Sequence, residues 1–208
     1  MKILVIGATG PTGRELVSQG VALGHETTAA VRNPESAALP AGVRLVRADV
    51  NDGASLAIAV AGQDVVISSL GSELSRKPTN LFSFGTRNLL IAMNDAGVRR
   101  LVCITGIGAG DSKGHGGFLY DRIIQPLLLK EIYKDKDRQE DLIRKSNLDW
   151  TIVRPGTLTN GIRTGRVRAL SDLRGITVGK VSRADVAWFI LDRLHDLNSV
   201  RSTITLTY

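Results

Sequence analysis

Apolar residues recur along the chain in short continuous runs, and the stretches between them have helical spacing. The runs are 2–6, 26–31, 43–46, 64–68, 100–105 and 150–153. Runs of this length without polar alternation fit strands covered on both faces. The helical stretches are 11–23, 53–61, 79–96 and a long segment ending near Lys145, with Gly24, Gly62 and Gly97 as stop signals. Strand–helix alternation of this kind predicts an α/β fold: a Rossmann-like, doubly wound parallel sheet with helices on both faces. Beyond Pro155 the pattern loosens. Ser182-Arg183-Ala184-Asp185 then reads as a capping box opening a helix over 186–194, and 202–207 alternates like a final strand. Without repeats, low-complexity tracts or a linker, residues 1–208 read as one domain, in which 156–208 complete the substrate side.

Composition narrows the function classes. At 43% apolar content the chain can bury a sizeable core. The net charge of +7 would suit a nucleic acid, but only 4% of residues are aromatic and the basic residues are scattered among carboxylates. Nucleic-acid binding is therefore not expected; the one local excess is Arg163, Arg166, Arg168 and Arg174. The single cysteine, Cys103, lies in an apolar run and reads as a buried thiol, in keeping with a reducing cytoplasm. Met1-Lys2 leads straight into a strand, and no apolar stretch reaches the ~20 residues of a membrane span, so neither a secretory signal nor a membrane role is expected. His25, His115 and His195 stand too far apart to suggest a metal site.

The candidate chemistry begins at the first strand–helix turn. Gly7, Gly10 and Gly13 are spaced G-x-x-G-x-x-G between a strand and a helix, where free backbone N–H groups form a seat for a pyrophosphate. A dinucleotide fold often carries a carboxylate after its second strand, to bond the ribose hydroxyls. This chain has Arg32, which suits a 2′-phosphate and argues for NADP over NAD. Asp49 and Val50 follow the third strand, where a carboxylate can reach an adenine, and Ser69-Leu70-Gly71 follows the fourth. Each lies at a strand's carboxyl end, where open parallel sheets bind ligands.

With these segments, the chain resembles the atypical short-chain dehydrogenase/reductases of the NAD(P)H-binding type, especially the biliverdin-IXβ reductase/flavin reductase group. The resemblance spans most of the chain. It rests on residues 7–13, Val31-Arg32, Ala48-Asp49-Val50, the segment 61–67, Leu70-Gly71, Arg87-Asn88 with Ala92-Met93, and 149–156. It implies NADP(H) along the strand ends. Gly7, Thr9, Gly10, Pro11, Thr12 and Gly13 would face the pyrophosphate, Arg32 the 2′-phosphate, and Asp49 and Val50 the adenine. Leu70, Gly71 and Phe82 would line the inner half, while Ile104, Thr105, Lys136, Pro155, Thr157 and Leu158 would lie toward the nicotinamide. Gly106 stands where the flavin reductase has a pocket serine, so that serine's role does not transfer.

Many short-chain dehydrogenases pair a tyrosine with a lysine four residues later, the phenol serving as acid. Here Tyr120 is followed at that spacing by Ile124 and Tyr133 by Asp137, while Tyr208 is terminal. Acceptors that spread incoming charge over a conjugated system are then favoured over simple ketones. Thr105 and Lys136 are the candidate catalytic residues. One helical register turns Lys136 inward, whereas another leaves it off-centre as a surface partner of Glu140. The glycine-rich segment 106–117 reads as a mobile lid over the substrate or as an ordinary disordered loop, with His115 a solvated residue or an acid. Together these expectations describe an NADPH-dependent reductase of a conjugated, anionic small molecule (a flavin, biliverdin-like tetrapyrrole or quinone), acting as a monomer or small homo-oligomer. The alternative is a non-catalytic NADP(H)-binding redox sensor; a nucleotide-sugar epimerase ranks behind both.

Overall fold

The computed structural model describes residues 1–72 and 77–208. Its elements run β1 (Lys2–Ile6), α1 (Pro11–Ala22), β2 (Glu26–Val31), β3 (Arg44–Arg47), α2 (Gly53–Val60), β4 (Val65–Ser68), α3 (Leu81–Asp95) and β5 (Arg100–Ile104). A π-helical segment (Tyr120–Leu129) follows, then α4 (Lys130–Lys145), β6 (Asp149–Pro155), β7 (Thr157–Thr159), β8 (Arg168–Leu170), β9 (Lys180–Ser182), α5 (Arg183–Asp192) and β10 (Ser202–Thr207). The main sheet has the order β3-β2-β1-β4-β5-β6-β10-β8, parallel except for β8, and β7 pairs with β9 in a small second sheet.

The near-continuous apolar runs arise because successive side chains of one strand enter two different cores. In β1, Ile3 and Val5 pack with Leu16 and Val17 of α1 and with α5, whereas Leu4 and Ile6 pack with α2, α3 and Ile143 of α4. The doubly wound prediction is therefore met. The three stop glycines, Gly24, Gly62 and Gly97, all adopt positive φ just beyond their helices.

The differences from expectation have local causes. The helical stretch ending near Lys145 is not uniform: it is π-helical up to Leu129 and contains Pro126, which lacks an N–H for the ordinary ladder. The last helix begins at Arg183 rather than Val186, directly after Ser182, whose hydroxyl accepts the N–H of Asp185 at 3.0 Å. Strands β7, β8 and β9 are three residues each, too short to leave a periodic signature. Cys103 is buried, and burial pushes its thiol up to about 12. No helix among the described residues is long and apolar enough to cross a membrane.

Asp185 fastens the C-terminal region. Its carboxylate accepts hydrogen bonds from the Tyr208 hydroxyl (2.6 Å), the Gly165 N–H (2.8 Å), and the Thr164 hydroxyl (2.9 Å) and N–H (3.0 Å). Burial alone would raise its pKa, but these donors outweigh that effect and hold it at about 2. Because the folded value is depressed, the stabilisation is complete above the unfolded value of about 3.9 and is lost as pH falls toward 2. In urea titrations, the stability gap between the native protein and Asp185→Asn should be wide at neutral pH and close over this acid window. A gap independent of pH would contradict the assignment.

Candidate active site

The turn from β1 into α1 is built by close backbone approach. Gly7 has φ +77, and a Cβ there would lie 2.5 Å from the Ser69 carbonyl oxygen. A Cβ on Gly13 would lie 2.1 Å from the Gly7 carbonyl oxygen, so the first turn of α1 rests directly on the loop. The Ser69 hydroxyl donates to the Ile6 carbonyl at 3.0 Å and fixes the exit of β4 beside this turn. Gly10 caps α1 without a side-chain acceptor, and Pro11 occupies the first turn. The remaining N–H groups there are therefore open to the oxygens of an anion. Thr9 is exposed and Thr12 buried.

Arg32 follows β2 and is exposed, and among the described residues it has no acidic partner. Nearby Glu35 is held by Arg47 at 2.7 Å. Arg14 ties the first loop to the segment after Arg32, donating to the Thr9 carbonyl at 3.0 Å and to the carbonyl of Ala38. Asp49 is half-buried and accepts the N–H of Asn51 at 2.9 Å. Asn88 donates to the Val50 carbonyl at 2.9 Å, and a Cβ on Gly85 would lie 2.9 Å from Val50 Cβ and 3.7 Å from Leu70 Cδ1.

From Leu70 the contacts continue into a small cluster of Phe82, Ala109, Ile132 and Tyr133, with Leu129 against it. Gly71 is exposed. Lys136 reaches this cluster. Its ammonium lies 5.4 Å from the centroid of the Phe82 ring and 5.2 Å from that of Tyr133, and donates to the Thr105 carbonyl at 2.5 Å. Although the side chain is only half-buried, its ammonium sits deep among protein atoms, and this burial lowers its pKa to about 8. The buried face of α4 draws on both registers, with Asp135, Gln139 and Ile143 buried and Lys136 half-buried beside them, and Lys136 makes its hydrogen bond to the Thr105 carbonyl rather than to Glu140.

Thr105 is buried and donates its hydroxyl to Glu140 at 2.7 Å, so the side chain is committed to that carboxylate. Ile104 and Pro155 are buried at the ends of β5 and β6. Thr157 is exposed and Leu158 packs against the opposite core, so neither meets the Lys136 cluster. An unbroken line of contacts therefore joins Val50, Leu70, Phe82, Lys136 and Thr105 along the strand ends, and leaves Thr157 and Leu158 aside.

One expectation is corrected. The segment 106–117 is not a free lid: Gly106 to Ala109 are buried, the Ile107 N–H bonds the Pro155 carbonyl at 3.0 Å, and the Gly110 N–H bonds Asp137 at 2.8 Å. Its glycines meet steric demands; Gly106 has φ +148, and a Cβ there would lie 2.9 Å from the Tyr133 hydroxyl. His115 is likewise anchored, with Nδ1 2.9 Å from the Ile176 carbonyl. A tyrosine does stand beside the lysine, at a spacing of three rather than four. Tyr133 is buried, hydrogen-bonded to the Tyr120 hydroxyl at 2.8 Å, and its pKa is pushed well above the ordinary value, first by burial.

Sequence reasoning also missed the supports of the site. Asp135 is fully buried and accepts the Phe82 N–H at 2.8 Å and the Ser83 N–H at 3.3 Å, capping α3 from the neighbouring helix. Glu140 is buried against Arg154, its Oε2 taking Nη2 at 2.5 Å and its Oε1 taking Nε at 3.0 Å. The available signal was the polar residues continuing the Ile132–Ile143 face of α4, where Asp135, Gln139 and Glu140 are all buried. Among the described residues, no group of three or more histidine, cysteine or acidic side chains is arranged to hold a metal ion.

Comparison with known proteins places this geometry. Over its full length the chain is 30% identical to a Bacillus subtilis protein described as the uncharacterized sugar epimerase YhfK, of which it covers 94%. It is 51% identical over 81 residues to the isoflavone reductase homolog IRL of Zea mays, in an alignment spanning 34% of this chain and 26% of that protein. The solved structure of the oxidoreductase ylbE from Lactococcus lactis superposes with a TM-score of 0.85 at 25% identity, covering 100% of this chain and 90% of that one. A family model described as NAD(P)H-binding matches residues 7–197. With its strand-end loop, open helix N-terminus and Rossmann sheet, the chain belongs to this NAD(P)H-binding family.

Proposed function

We propose that the protein is an NADPH-dependent reductase whose acceptor is a conjugated small molecule such as a flavin, a biliverdin-like tetrapyrrole or a quinone. The observation that carries this reading is the Lys136 ammonium, held at the mouth of β5 by the Thr105 carbonyl and flanked by the rings of Phe82 and Tyr133. The residues fit the cofactor: among the described residues, no side chain caps the first N–H groups of α1 and no acidic group pairs with the Arg32 guanidinium. Bound there, NADPH would supply a hydride.

The chain's own residues do the rest. The first turn of α1 binds pyrophosphate oxygens, and Arg32 binds the 2′-phosphate. The Lys136 cation offsets negative charge arriving on the acceptor. Tyr133 remains a neutral, buried phenol, so the corner offers a cation more readily than an exposed proton donor. That balance suits an acceptor that delocalises its charge and takes its proton from water.

Arg32→Ala should weaken NADPH binding by about 10- to 100-fold, from the loss of a charge-assisted bond of about 1.5–3 kcal/mol, and leave NADH binding unchanged. Nicotinamide fluorescence titrations measure both. Air-free addition of FMN, biliverdin or a quinone then tests turnover; tight NADPH binding without oxidation by any of them would replace the reductase with the redox-sensor reading.

A further inference from the structure

A second polar site lies outside the strand-end line. A cavity of about 370 Å³ opens between β6, β10 and the segment 106–117, and its lining includes Asp111, His115, Arg154, Asp172, Arg174 and Thr203. Arg154 is the unusual member. Its side chain is only 3% exposed and is doubly bonded to the equally buried Glu140, yet its Nη1 turns to Asp111, a carboxylate 87% exposed, at 2.5 Å. A guanidinium has five N–H donors, and these bonds use three of them. The Thr203 hydroxyl, in the same lining, is buried and has no hydrogen-bond partner among the described residues.

The geometry points to Arg154 as the anchor of a carboxylate-binding site, in which Asp111 occupies the place of a ligand's carboxylate. Glu140 already compensates the buried cation from the inner side. Exchanging the solvent-side Asp111 for another carboxylate therefore changes no buried charge, and Asp111 swings into water at little cost. The bidentate pairing with Glu140 fixes the guanidinium plane, so its outer edge is preorganised for a planar carboxylate.

The site also connects to the Lys136 corner. Glu140 Oε1 accepts from both Arg154 Nε at 3.0 Å and the Thr105 hydroxyl at 2.7 Å, and the Thr105 carbonyl holds Lys136. A carboxylate at Arg154 is thus linked through Glu140 to Thr105, the residue whose carbonyl holds the lysine. The carboxylate is either carried by the acceptor or belongs to a separate small acid.

Acetate, which reproduces the aspartate side chain, is the probe. The native protein and Asp111→Ala are titrated with acetate at constant ionic strength, following the thermal midpoint and the side-chain Nε–H resonance of Arg154. We expect Asp111→Ala to saturate at an acetate concentration at least tenfold lower than the native protein, with the Arg154 resonance moving at the same midpoint. An equal response of both proteins, a response reproduced by chloride, or an unmoved Arg154 resonance would overturn the proposal. Asp111→Asn, which keeps the side-chain shape, should gain in the same direction. Inhibition by acetate of biliverdin reduction but not of quinone reduction places the carboxylate on the acceptor; equal inhibition of both places it on a separate acid. Acetate binding is read without cofactor, so its failure is distinct from a failure of the reductase reading.

Discussion

Glu140→Ala should lower the unfolding free energy by about 3–5 kcal/mol, the usual consequence of stripping one partner from a buried ion pair. Arg154 and Glu140 each have side chains only 3% exposed, so water cannot replace the lost carboxylate. The Thr105 hydroxyl and Arg144 lose the same acceptor, at 2.7 and 3.3 Å. Glu140→Gln, which retains the shape and one acceptor oxygen, should lose less. Replacing both members, Glu140→Leu with Arg154→Met, should recover much of the loss, because no orphaned charge remains. Urea denaturation of these variants measures the cycle. A loss below about 1 kcal/mol for Glu140→Ala would mean that Arg154 finds solvent or Asp111 sufficient.

The largest effect on activity should come from Lys136→Met, which keeps a long apolar side chain and removes the charge. Removal of one preorganised group that stabilises developing negative charge costs about 10²–10³ in kcat. The variant should bind NADPH almost normally, since pyrophosphate and 2′-phosphate are assigned to other residues. Its pH profile supplies the sharper test. Burial holds the native ammonium at about 8, so a reaction that needs the cation slows as pH rises through that value. In Lys136→Met this alkaline limb should vanish. A variant with native rates, or one that is slow but keeps the limb, would remove Lys136 from the chemistry.

The sheet and its two layers of helices were legible because parallel strands are buried on both faces, and their apolar runs, such as Val65–Ser68, interrupt the helical pattern cleanly. The strand-end glycines were legible for a related reason: a tight turn with close backbone approach restricts which residues are tolerated locally. The supports of the Lys136 corner were not. Asp135 caps a helix that begins far away in sequence, and Glu140 meets Arg154 only after α4 has packed beside β6. Tyr133 was passed over because it was sought at one spacing, whereas a helix face also admits neighbours three residues apart. The glycine-rich segment misled in the opposite direction. Its composition suggests freedom, but at Gly106 and Gly108 a Cβ would meet Tyr133 and Gln125, so the composition records crowding.

The place of β10 also bears on how the protein is made. It lies between β6 and β8 in the sheet but comes last of the three in the chain. As the polypeptide emerges, β6 is present well before the strand that covers its edge, and until β10 arrives its backbone groups are open to any other extended segment. The late pairing joins residues distant in sequence and is correspondingly slow. Nascent or truncated chains lacking 202–207 should therefore be the most prone to aggregate, even though strands β1 to β5 have been complete since much earlier in synthesis.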